Sequence, residues 1–441
     1  MDTLKIDLPE KVNKIIRVLH SEGFEAYAVG GCVRDSILER VPEDWDITTS
    51  AMPEEVKEIF HRTIDTGIEH GTVTVRMEGE SFEVTTYRID GEYEDGRHPK
   101  EVTFTRSLKE DLRRRDFTIN AMAYNQKDGL VDIFGGLSDL EKKVIRCVGN
   151  AEERFSEDAL RILRGVRFAA QLDFAIDEET KEGMRILAPT LKKISAERIQ
   201  TELVKMLVSN RPELLGEAYR LGITAQFLPE FDRLMVTEQE TPHHMYNVGE
   251  HTLHAMKNIR PEKVLRLTML LHDMGKPALK TMDETGRAHF KKHAAESEVL
   301  ARGILKRLKF DNDTLRKVCR LIRFHDYRME ATEYNVRQAI YLIGEDLFPS
   351  YMEVRRADVL AQSMYKRERK IQNLDEIEEL YRKIRQEGQC VSMRMLAVSG
   401  KDLLEAGVEP GKQIGEKLEE LLKIVLKHPE LNTKEELLRR I

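Results

Sequence analysis

A double glycine followed by two acids one residue apart constrains this chain more than any other feature. Tyr27-Ala28-Val29 is a short apolar strand, Gly30-Gly31 a turn, and Cys32–Leu38 the start of a helix; Asp44-Trp45-Asp46 follows. With no Cβ in the way, Gly30 and Gly31 let backbone N–H groups approach an anion closely. Arg34, just inside the helix, adds a fork of donors suited to a phosphate. If Asp44–Thr48 is a strand, Asp44 and Asp46 point to one face. Two hard oxygen ligands on one face suit Mg²⁺, which leaves its other positions to water and substrate phosphates. Singly, these pieces read as an ordinary turn and a solvated acidic loop. Together they are the parts that metal-assisted nucleotidyl transfer needs.

The string Gly30-Gly31-Cys32-Val33-Arg34-Asp35, with Asp44-Trp45-Asp46 after it, resembles the first motif of class II tRNA nucleotidyltransferases (CCA-adding enzymes) and bacterial poly(A) polymerases. Both belong to the polymerase-beta-like nucleotidyltransferase superfamily. Arg114-Arg115-Asp116, with Asn120-Ala121, is similar to the family's second motif, and Asp132–Leu140 to its head–neck connector. Glu157-Asp158-Ala159-Leu160-Arg161 resembles the Glu-Asp-x-x-Arg motif that reads the base, and Ser195–Ile199 the last neck motif. The resemblance implies that Asp44 and Asp46 are catalytic and hold Mg²⁺. It implies that Gly31, Arg34 and Arg115 hold the triphosphate, that Asp158 and Arg161 read the base, and that Arg164 and Arg167 contact the incoming nucleotide.

The chemistry of the Asp158/Arg161 pair gives that motif a physical reading. Helical periodicity runs over Glu157–Ala170, so residues three apart share a face. Cytosine and adenine each present an amino donor beside a ring-nitrogen acceptor, which fits an Asp acceptor and an Arg donor. Guanine and uracil present the reverse. The ordinary alternative is a surface ion pair worth tenths of a kcal/mol. Ser195 is expected to cap the next helix.

Elsewhere in the first third, Thr72–Met77 and Ser81–Arg88 alternate in hydropathy across Glu78-Gly79-Glu80 and predict a β-hairpin. Glu83 then either faces solvent or brings a third carboxylate near the first two. Tyr87–Pro99, rich in charge and glycine, reads as a lid or a surface excursion. It resembles a loop that full CCA-adding enzymes keep and CC-only relatives shorten.

A second constellation lies further on: His251, His272-Asp273, His293, His325-Asp326 and Asp358. Imidazoles with carboxylates suit a divalent transition metal or a two-metal phosphohydrolase site. His272-Asp273 at an apolar helix end resembles the HD superfamily, which implies His251, His272, Asp273 and Asp358 as ligands, with His293 and His325 as weaker matches. A degenerate fold kept for shape or RNA contact is the alternative.

At 441 residues the chain is expected to hold several domains. Its net charge of −7 excludes a generally basic surface, so RNA would need a local basic cleft. No apolar run is long enough to span a membrane, and the first residues lack the apolar core of a signal peptide. Four scattered cysteines, without metal-type spacing, fit free thiols in the cytoplasm.

The expected fold is α+β: a mixed-sheet nucleotidyltransferase head (1–148), a helical neck reading the base (149–235), an HD-type helical body (236–365) and a helical tail gripping tRNA (366–441). The expected function is untemplated addition of C, C and A to a tRNA 3′ end from CTP and ATP. The alternatives are a poly(A) polymerase, a CC-only or A-only enzyme, and an HD phosphohydrolase with a vestigial head. No membrane partner is expected, and oligomeric state is left open.

Overall fold

In a computed structural model, the description covers residues 4–91 and 102–441. The chain divides into two compact units, Met1–Phe227 and Leu228–Ile441.

In the first unit, α1 (Glu10–Ser21) buries Val12, Ile15, Ile16 and Leu19, the stripe its 3.6-residue periodicity dictates. It precedes β1 (Ala26–Val29), α2 (Gly31–Ile37), β2 (Ile47–Thr49), α3 (Pro53–Ile59) and β3 (Thr63–Gly67). Pro53 opens α3, where a missing N–H costs nothing. Then come β4 (Thr72–Met77) and β5 (Glu80–Thr86), the expected hairpin, with Val73 opposite Val84 and Val75 opposite Phe82. A short ribbon, β6 (Arg88–Asp90) and β7 (Val102–Phe104), lies at the rims of the Tyr87–Pro99 loop; most of that loop falls outside the described residues. After α4 (Leu108–Arg113) come β8 (Met122–Asn125), β9 (Gly129–Asp132), α5 (Gly136–Lys142) and the two-residue β10 (Val144–Ile145).

Seven of these strands form one sheet in the order β3-β4-β5-β2-β1-β8-β9. Only β2 and β5 run parallel, so the sheet is mixed as expected.

Two local expectations are corrected. Asp44 and Asp46 are not in a strand: β2 begins at Ile47. The reason is that β1 ends at the Gly30 turn. The Val29 N–H reaches the Asp46 carbonyl at 3.0 Å, and nothing beyond it remains for residues 44 and 45 to pair with. The predicted Glu157–Ala170 helix is two helices, α6 (Ala151–Glu157) and α7 (Leu160–Leu172). Asp158 stands between them in extended conformation (φ −139°, ψ 103°). Its side chain competes with the helix by accepting from the Leu160 N–H at 3.0 Å.

The rest of the unit is helical apart from β11 (Ala175–Ile176), which pairs with β10. It includes α8 (Glu178–Leu187) and α9 (Ala196–Leu207), and α9 packs along α7. Ser195 does occupy the N-cap position of α9, but its hydroxyl makes no capping hydrogen bond.

The second unit is helical apart from one two-stranded ribbon, Thr281–Met282 with Ala288–His289. Its central core gathers Val336, Ile340, Phe348 and Tyr351 with Leu374 and Ile377 of the long helix Arg367–Gln386. A smaller cluster around Leu403, Leu421, Leu422 and Val425 holds the C-terminal helices together. Among the described residues no helix is long and apolar enough to cross a membrane.

Candidate active site

α2, the segment between it and β2, α7 and α9 frame a cleft of about 620 Å³ lined by Gly31, Arg34, Asp44, Asp46, Arg167 and Lys205, among others. Gly30 holds φ +81°, a left-handed conformation open to glycine, and turns β1 into α2. A Cβ there would stand 2.9 Å from Arg115 Nη1. The absent side chain is therefore what admits Arg115 beside the turn.

Asp46 is exposed, with Asp44 and Arg115 beside it. Burial and the neighbouring Asp44 raise its carboxyl, while Arg115 pulls it down; the net direction is upward. Glu83 lies on β5, where its neighbour Val84 pairs with Ile47 of β2. Its carboxyl is likewise raised, by partial burial and then by Asp46 and Asp44. Three carboxylates that repel one another in this way form a hard, anionic oxygen set, the donor chemistry a Mg²⁺ ion relieves.

The arginines arrive through a network anchored by buried acids. Asp111, fully buried, accepts from Arg114 (Nη2, 2.8 Å) and Thr48 (3.1 Å), and lies 3.6 Å from Arg115 Nη2. Arg115 Nε, also buried, has no hydrogen-bond partner among the described residues. Asp116 accepts from Asn120 (3.1 Å) and Arg164 (2.9 Å). Burial alone would raise its carboxyl, but Arg164 and Asn120 hold it well below the usual carboxylate range. Asn120 in turn accepts from Arg34 Nη1 at 2.6 Å, and the other side of the Arg34 fork pairs with Asp35 at 2.9 Å. Arg167 donates to Glu202 of α9 at 2.8 Å. Phe168 sits among three of these guanidiniums, with Arg167 at 3.6 Å, Arg34 at 5.1 Å and Arg164 at 5.4 Å from its ring centroid. These contacts hold cationic groups at fixed angles in a partly desolvated wall.

Asp158 and Arg161 do not pair with each other, contrary to a surface ion pair. Asp158 Oδ2 is held by Arg198 of α9 at 2.7 Å. Arg161 donates to the Arg114 carbonyl at 2.9 Å and the Arg154 carbonyl at 3.0 Å, and also pairs with Glu157. The helix break that separates the two residues lets each be set by a different element. Asp111, Glu202 and Arg198 went unnoticed as members of this site. Asp111 carries a signal in its i, i+3 and i, i+4 spacing to Arg114 and Arg115; Arg198 lies within the Ser195–Ile199 neck-type motif, with nothing in it that points to Asp158, and Glu202 carries no signal.

In the second unit six side chains converge. His251 comes from Val248–Lys257, His272 and Asp273 from the end of Lys263–Leu271, His293 from the start of His293–Arg307, His325 from the end of Asn312–Phe324, and Asp358 from Phe348–Ala361. His251 Nε2 lies 3.0 Å from Asp358, and His272 Nε2 lies 3.1 Å from Asp273. His293 and His325 reach the other Asp273 oxygen at 3.4 and 3.6 Å. Burial would raise the Asp273 carboxyl, but His272 and Lys276 hold it well below the usual range. The weaker sequence matches, His293 and His325, thus lie farther from Asp273 than His272 but nearer than His251, which stands 3.7 Å away. Asp326 faces Arg328 instead.

Three comparisons with known proteins agree on a family. A Poly A polymerase head domain model matches residues 26–146, a model for the RNA- and SrmB-binding site of polymerase A matches 173–235, and a second-domain model of tRNA nucleotidyltransferases matches 287–441. A CCA-adding enzyme of Pediococcus pentosaceus is 36% identical over 419 residues, covering 95% of this chain and 93% of that protein. One of Enterococcus faecalis is 57% identical over 194 residues, an alignment that spans about half of each chain, 44% and 48%. The crystal structure of a Bacillus stearothermophilus CCA-adding enzyme in complex with CTP superposes with a TM-score of 0.70 at 30% identity, covering 97% of this chain and 96% of that one.

Proposed function

The chain belongs to the family of CCA-adding enzymes, and from that premise we propose that it adds C, C and A in turn to a tRNA 3′ end, taking CTP and ATP and using no nucleic-acid template. The observation that supports this reading best is the Asp44 and Asp46 pair, facing one cleft with Arg34 and Arg167, with Glu83 close enough to be raised by both.

Asp44 and Asp46 fit Mg²⁺ by donor type and by the repulsion that raises Asp46. When bound, the ion supplies Lewis acidity at the α-phosphate and at the attacking 3′-hydroxyl. The chain's own residues do the rest. Gly31 and the start of α2 offer backbone N–H groups to the triphosphate, with Arg34 and Arg115 neutralising its charge. Asp158 accepts from the exocyclic amine of C or A, and Arg161 donates to the ring nitrogen. Arg164 and Arg167, braced by Asp116 and Glu202, fix the nucleotide's angle to the attacking oxygen.

We assign residues 1–148 to catalysis, 149–235 to base recognition, 236–365 to the His/Asp body and 366–441 to tRNA backbone contact. Four buried, unpaired cysteines fit a cytoplasmic setting. A transcript lacking its last three nucleotides tests the reading. CTP alone should extend it by two, and ATP should add one residue only after both C residues are present. A long A tail would make the protein a poly(A) polymerase instead.

A further inference from the structure

Three guanidiniums of the active cleft meet one aromatic ring. Arg34 comes from α2, and Arg164 and Arg167 come from α7. Their guanidinium carbons lie over Phe168 at 5.1, 5.4 and 3.6 Å from the ring centroid. Each guanidinium also has part of its N–H edge taken by an acid, Asp35 for Arg34, Asp116 for Arg164 and Glu202 for Arg167. A guanidinium is planar and directs its donors outward in that plane. Its edge can therefore serve a carboxylate while its face lies against a ring.

Helix spacing accounts for only one of the three contacts. Arg164 stands four residues before Phe168 and shares its face of α7. Arg167 is the immediate neighbour of Phe168, and adjacent residues on a helix do not face each other. It reaches the ring because its fork is drawn aside by Glu202 and Gln171, each at 2.8 Å. Arg34 arrives from a helix far earlier in the chain. The arrangement is tertiary, assembled at Phe168 from separate elements.

Gathering three positive groups at one point costs repulsion. The acids offset it along the edges. On the faces the offset comes from the ring, whose π surface is negative. That attraction grows as the partners lose water, and Phe168, Arg34 and Arg167 are all buried. The ring itself is held in place. Phe117 meets it in a T-shaped contact, with centroids 5.8 Å apart and planes at 79°.

We propose that Phe168 is a positioning residue for the incoming nucleotide. Its π face, rather than its bulk, sets Arg34 relative to Arg164 and Arg167. The inference rests on the roles given above to those arginines, and Phe168 acts only through them. Its consequence is that the grip on the triphosphate and the orientation of the nucleotide are coupled through one ring. Weakening the ring loosens both at once. The effect is equal for CTP and ATP, because the ring touches the arginines and not the base-reading Asp158.

The test uses the full chain with Phe168 replaced in turn by phenylalanines carrying one, two and three ring fluorines. Fluorine withdraws π density with little change in size. The kcat/KM for CTP and for ATP should fall stepwise and by the same factor, reaching roughly 10-fold at three fluorines, with the KM for the tRNA transcript unmoved. Phe168→Leu, which keeps apolar bulk without a π face, should fall at least as far. In an Arg34→Ala background the same fluorines should cost less than in the wild type, because one of the three partners is gone. Thermal melts identify any variant that fails to fold, and the fluorinated series keeps the test open if Phe168→Leu does. Calorimetric binding of CTP without tRNA should follow the same series. A chain that binds CTP in this graded way but extends no tRNA would sink the proposed activity and support the role of Phe168. A flat response to fluorine in folded protein, even with a loss in Phe168→Leu, would reduce Phe168 to packing and overturn the proposal. An undiminished fluorine effect in Arg34→Ala would overturn the coupling.

Discussion

Asp158 is held by Arg198, forty residues further along the chain, at 2.7 Å, and not by its sequence neighbour Arg161. The acid proposed to read the base is therefore positioned by α9. Arg198→Ala frees the Asp158 carboxylate without removing it. Misincorporation of UMP relative to CMP should rise by roughly 10-fold, within the 1–3 kcal/mol a base-edge contact commands. Asp158→Ala should do more. Single-nucleotide incorporation ratios check this, and wild-type ratios in both variants would remove the template role.

The carboxylate set sets a second expectation. Asp44→Ala should lower incorporation by on the order of 10³-fold or more, the scale of losing a main charge-stabilising element. Glu83→Gln keeps shape while removing one of three charges, and should reduce it by roughly 10-fold with a higher Mg²⁺ requirement. Rates measured across a Mg²⁺ series distinguish the two.

The same carboxylates give a pH dependence with a definite sign. Burial, with the neighbouring acids, raises Asp46 and Glu83 in the folded state. Stability from such groups is present below their unfolded pKa and lost as pH rises through the folded value. Metal-free protein should therefore be less stable at neutral pH than Asp46→Asn, with the gap closing on acidification. Thermal melts in chelator at pH 7.5 and pH 4 read this directly. Incorporation, which needs ionised carboxylates, should fall on acidification from above the ordinary carboxylate range.

Two glycines make packing predictions. Gly30→Ala introduces a Cβ at φ +81°, 2.9 Å from Arg115 Nη1, so it should strain the turn and displace Arg115. A raised KM for both nucleotides is the expected readout. At Gly165 on α7 a Cβ would run into Met184 and stand 2.9 Å from the Phe117 ring. Gly165→Ala should cost about 1–3 kcal/mol in denaturant unfolding, the usual range for overpacking.

Much of this site was legible because its signals are local. Gly30-Gly31, the Asp44/Asp46 pair and the hairpin around Gly79 depend on neighbours within a few residues. The break at Asp158 was not legible. Ser156–Ala159 contains no glycine or proline, and only Arg198 and the Leu160 N–H, claiming the Asp158 side chain, interrupt the helix. Glu202 and Asp111 act through burial that periodicity does not report. His293 and His325 are weaker matches in the sequence because spacing cannot show three helix ends meeting at Asp273.

The measurement that bears most directly on the central claim is extension of a tRNA transcript ending just before its CCA, with Mg²⁺, CTP and ATP together. Growth by three nucleotides reading C, C, A, and no further, is the predicted result. A stop after two, an extended A tail, or no growth at all would contradict it.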